Sequence, residues 1–166
     1  SSSATLDFTS GLDSTYDEYM FLCNNLHAQT DNVRLGFNMT TDGSNWNVTK
    51  TTTFFDAFHF ESDAESDLGY QTSQDLAQGT GLQHFSPAVG NDNDQSFSGE
   101  LFLYAPSDTT FVKQFMSRGM GIESRDIAQD TYVAGYCNTT SAITGVQFKA
   151  VSGNLDAGTI SLYGIG

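Results

Sequence analysis

Residues 142–165 read AITGVQFKAVSGNLDAGTISLYGI, and this stretch decides the fold class. Val146 and Phe148 alternate with Gln147 and Lys149. Ile160 and Leu162 alternate with Ser161 and Tyr163. Period-two alternation places one side of each segment on a buried sheet face and the other in water. The segment between them, rich in Gly, Asn and Asp, is longer than a two-residue turn, so a looped antiparallel hairpin is expected. The chain reaches Gly164-Ile165-Gly166 directly afterwards, so this strand is expected to be a structural terminus rather than a linker.

The same pattern recurs upstream. Leu6 and Phe8 share a face, Tyr19 to Leu26 is a mostly apolar run, and Val33, Leu35 and Phe37 alternate with Arg34, Gly36 and Asn38. The Asp42-Gly43 step marks a turn. TKTTTFFDAFHF (49–60) is rich in the Thr and Phe that suit strands and resist helix. The acidic span from Glu61 to Gly90 is the least regular, with short strands expected near Gly69–Thr72 and Gly81–Phe85. Phe97–Tyr104, Thr110–Met116 and Tyr132–Cys137 read as strands, and Gly119–Ala128 as one weak helical turn at most. The expected count is nine strands without a helix. At 166 residues the chain reads as a single domain, 1–166. Strands at this spacing predict an all-β, antiparallel two-sheet β-sandwich of jelly-roll type.

Twenty acidic against six basic residues give a net charge of −14. That balance argues against nucleic acid, and against an anionic membrane surface, as partner. No apolar run is long enough to insert into a membrane. No basic start leads into an apolar segment, and the Ser1-Ser2-Ser3 opening fits a processed start or one module of a longer polypeptide.

Cys23 and Cys137 are the only cysteines, and in strand-like runs they read more readily as small buried hydrophobes than as a disulfide. Glu61, Asp63, Glu65 and Asp67 would crowd one face of a strand, or could wrap Ca2+ in a loop. EF-hand spacing is not met, so a solvated acidic loop is the simpler reading. Asn91, Asp92, Asn93 and Asp94 form the other candidate for Ca2+, against a plain turn stabilised by Asn and Asp side chains. His27, His59 and His84 lack the nucleophile and oxyanion-hole motifs that would make a base of one of them, and the chain reads as non-enzymatic. The sequons at Asn38, Asn47 and Asn138 are what this Asn, Ser and Thr content yields by chance. Trp46, Tyr70 and Tyr104 are candidate ligand contacts, since exposed aromatics can stack on a sugar ring. For Trp46 a plug at the sandwich edge is the simpler reading.

Six blocks in order carry a resemblance. They are SSSATLDFTSGLDSTYDEYMF, TKTTTFFDAFH, LGYQTSQDLAQGTGLQ, SGELFLYAPSDTTFVKQF, YVAGYCNTTSAITGVQFKAVSGN and GTISLYGI. Together they resemble the C-terminal β-domain of tail-fibre-like or other virion structural proteins of marine tailed bacteriophages. The resemblance implies a virion component, a fibre or capsid-decoration module. It would assemble as a homo-oligomer, with a trimer favoured, beside other virion proteins and facing a host surface glycan. It carries over no catalytic residue. The alternatives are a receptor- or glycan-binding lectin-like module and, last, a polysaccharide depolymerase, which needs two facing carboxylates.

Overall fold

The structure, a computed structural model, describes residues 2–166. Eleven antiparallel strands follow in order: β1 Leu6–Phe8, β2 Glu18–Ala28, β3 Val33–Thr40, β4 Lys50–Phe60, β5 Ser66–Tyr70, β6 Gln83–Val89, β7 Phe97–Tyr104, β8 Lys113–Glu123, β9 Ile127–Cys137, β10 Gly145–Ala150 and β11 Leu155–Ile165. The smaller layer runs β1-β10-β3-β6, and the larger runs β11-β2-β7-β8-β9-β4-β5. The two meet along hydrogen bonds at one corner, where Val89 pairs with Glu123. The all-β sandwich read from the sequence is therefore what the chain forms.

Apolar positions at period two supply the core. Phe37 and Phe148 of the smaller layer face Phe115 and Phe21 of the larger one, each cross-layer pair at 5.3 Å between ring centres. Phe85 meets Phe97 at 5.0 Å edge to face, an arrangement the ring quadrupoles favour. Cys23 and Cys137 are free and buried in this core. Burial pushes both thiols up to about 12, so they stay protonated and inert.

Three sequence expectations are corrected. First, 142–165 is not a hairpin. β10 pairs with β1 and β3, while β11 pairs with β2 in the opposite layer. The connecting turn crosses the sandwich. Gly153 allows it by taking φ 72°, and a Cβ there would lie 2.1 Å from Thr30 Oγ1. Second, Gly119–Ala128 holds no helical turn. It completes β8, turns at Ser124-Arg125-Asp126 with Asp126 at φ 59°, and enters β9. Third, the strand expected over Thr110–Met116 begins only at Lys113. The Asp108 carboxylate accepts from the backbone N–H groups of Thr110 and Phe111, which holds that segment in a turn and leaves Phe111 exposed. The irregular acidic span does hold two strands, β5 and β6, close to where they are expected.

Candidate functional site

Directly paired residues of antiparallel strands point to the same face. One such row crosses the larger layer as Tyr70, Phe55, Tyr132, Arg118, Glu100, Leu22 and Ser161. The adjacent row is Thr53, Ala134, Met116, Phe102, Met20 and Tyr163. Both rows lie on the side away from the core. The strands that form them therefore carry large apolar side chains on both faces, as in Phe54-Phe55 and Leu101-Phe102-Leu103-Tyr104.

This face holds most of the large apolar side chains exposed among the described residues. Phe55, Leu68, Tyr70, Met116, Met120, Tyr163 and Ile165 are on it; Tyr16, Phe111 and Val151 are elsewhere. A shallow groove of about 390 Å³ runs along its middle between Phe55, Phe102, Tyr104, Met116 and Tyr132. The Phe55 and Tyr132 rings stack with centres 4.8 Å apart and planes 2° from parallel. Arg118 lies 4.8 Å over the other flank of the Tyr132 ring and pairs with Asp130 at 2.8 Å. That carboxylate raises the Arg118 guanidinium further above its already high value. Burial, then the hydrogen bond to Asp130, raise the Tyr132 phenol. Burial followed by the charge of Glu18 raises Tyr104. All three groups therefore keep a fixed charge state near neutrality. Ser117 lies on the core side of β8, where its hydroxyl donates to the Glu100 carbonyl at 2.8 Å. The arrangement is suited to covering apolar surface and to stacking.

The three aromatic candidates part company. Tyr104 lines the groove. Tyr70 ends the first row at the sheet edge, where its hydroxyl donates to Asp75 at 2.6 Å. Trp46 is half-buried in the β3–β4 loop and lies against Gly145, apart from both. The sequence reading missed Phe55, Phe102, Met116, Arg118 and Tyr132. The signal that could have found them is the strand with no polar face.

Asn91, Asp92, Asn93 and Asp94 are exposed in the β6–β7 turn, which closes by Gln95 N–H donating to the Asp92 carbonyl at 3.0 Å. Glu61, Asp63 and Glu65 lie in the β4–β5 loop, and Asp67 on β5; all are exposed. Among the described residues no three His, Cys, Asp or Glu side chains gather as a metal site. His59 contacts Asp63 at 3.0 Å in the open. His84 meets the Gln74 side chain at 2.5 Å and is lowered by burial.

Compared with protein-family models, curated proteins and solved structures, the chain matches none.

Proposed function

We propose that the chain is a non-enzymatic virion structural module, of fibre or decoration type, that assembles as a homotrimer through the outer face of its larger layer. The observation that carries this reading is the concentration of exposed apolar side chains on that one face. Monomeric soluble proteins rarely leave so broad an apolar face in water, and an oligomer buries it. A second copy suits the site better than a strongly charged partner, because Arg118 is neutralised by its own Asp130. The strand order supports a jelly-roll form. The chain changes layer at seven of its ten connections, and the meander β7–β8–β9 occupies a single place between β2 and β4. Other virion proteins and a host surface glycan are the further partners of this reading, with the virion as its location.

The test is the native mass at micromolar concentration. Three times the 18.0 kDa chain is expected, and a single-chain mass overturns the assembly reading. A second reading, a lectin-like module, is favoured by the parallel Phe55–Tyr132 stack beside Arg118 and Glu100. With both faces of Tyr132 covered, by Phe55 and by Arg118, a sugar would lie along the exposed ring edges with its hydroxyls toward the charges. Binding of a host glycan by the chain, abolished by Tyr132→Ala, would select it.

A further inference from the structure

Lys50 is fully buried without a carboxylate partner. Its Nζ donates to the Asn38 Oδ1 at 2.6 Å and to the Val48 carbonyl at 2.8 Å. Asn38, itself 6% exposed, belongs to β3 of the smaller layer, whereas Lys50 begins β4 of the larger. We propose that these two side chains join in an intramolecular isopeptide bond that staples the two layers of the sandwich.

The carboxamide is held as an electrophile. Its Oδ1 accepts a second hydrogen bond from the Met39 backbone N–H at 2.9 Å. That N–H stays on the oxygen when Nζ turns from donor to nucleophile, and it stabilises the charge that develops there as the carbonyl carbon is attacked. Its Nδ2 donates to the Thr80 carbonyl at 3.0 Å and to the Gly81 carbonyl at 3.4 Å. Those acceptors suit a nitrogen that gains protons as it leaves. The nucleophile is prepared by burial, which brings the Lys50 amine down to about 8, so a usable fraction is neutral near physiological pH. Lys113, the other buried lysine, shows the contrast: its Nζ donates to the backbone carbonyls of Phe111, Thr139 and Thr140, and no carboxamide is among its hydrogen-bond partners.

The step balances without an oxidant. The neutral Nζ adds to Asn38 Cγ and the new C–N bond forms. The Cγ–Nδ2 bond then breaks, and Nδ2 departs as ammonia carrying the proton lost by Nζ. No carboxylate touches Nζ to shuttle that proton, so the reaction is slow and accelerates with pH until the amine is fully neutral.

The test is the intact mass of the full chain, purified and then incubated at mildly alkaline pH. A loss of about 17 Da, one ammonia, is expected, together with a branched proteolytic peptide that joins the segments around Asn38 and Lys50. The rate should climb with pH through about 8 and then level off. Lys50→Arg keeps the charge and should retain the full mass. Wild-type chain that keeps its full mass, with Asn38 and Lys50 in separate peptides, overturns the proposal. So does an ammonia loss that persists in Lys50→Arg. Peptide mapping of the wild type decides the matter even where the variant fails to fold.

Discussion

His27 ties three parts of the chain together. Its Nδ1 meets Asp156 Oδ1 of β11 at 2.7 Å, and its Nε2 meets the Asp92 carbonyl of the β6–β7 turn at 3.2 Å. Both ring nitrogens face acceptors, and only the imidazolium has two N–H groups to offer. The hydrogen bond to Asp156 accordingly raises His27 above its ordinary value, against an opposing effect of burial. An unfolded chain protonates this residue at about 6.5. The charge-linked stabilisation is therefore complete below that value, and it disappears as pH rises through the higher folded value. Melting temperatures of wild type and His27→Gln, compared from about pH 6 to about pH 9, should differ most at the acidic end and converge as pH rises. A gap that stays constant or widens upward would remove the imidazolium from this account. The Asp156 and Asp92 partners were illegible in the sequence, because they lie 129 and 65 residues away.

At the scale of elements, alternation told which residues are inside but not which strand is beside which. The hairpin expected over 142–165 failed for this reason: the apolar rhythm of β10 and β11 is local, and their partners are β1, β3 and β2. The helical turn expected over Gly119–Ala128 failed for another. Along β8 the inner positions include Gly119 and Gly121, while Met116 and Met120 lie outside. The apolar stripe is thus inverted. Space above the glycines is filled from elsewhere, since a Cβ on Gly119 would lie 2.2 Å from the Phe97 ring and one on Gly121 2.7 Å from Pro87. Phe97 in effect supplies the side chain that Gly119 lacks. Gly119→Ala should therefore overpack this contact and cost about 1–3 kcal/mol, read as a fall in the denaturant midpoint at unchanged slope. A loss within about 0.5 kcal/mol would mean that the ring moves aside freely.

The whole molecule sets an apolar outer face against a strong net charge. The candidate site was half legible for that reason. Tyr70 and Tyr104 could be picked out as aromatics, but the row that joins Tyr70 to Phe55 and Tyr132, and the groove that sets Tyr104 beside Met116, exist only once β2, β7, β8, β9, β4 and β5 are side by side. Each copy carries −14, so copies repel at long range, with a reach of about 30 Å at 0.01 M salt and about 10 Å at 0.1 M. If the proposed assembly rests on apolar burial, added salt removes the repulsion and leaves the attraction untouched. Sedimentation across a sodium chloride series should then show association tightening as salt rises. An assembly held by ion pairs between copies would loosen instead, and that result would reject the apolar face as the contact. Met116→Glu places a charge among Phe102, Tyr104 and Tyr132 at a site already 55% exposed. Folding stability should change by no more than about 0.5 kcal/mol, while association weakens at least about tenfold, or ~1.4 kcal/mol. Thr15→Glu, in the exposed loop before β2, adds the same charge away from the face. It should weaken association less, and salt should restore it. Equal losses in the two variants would show net charge, rather than this surface, to be what limits assembly.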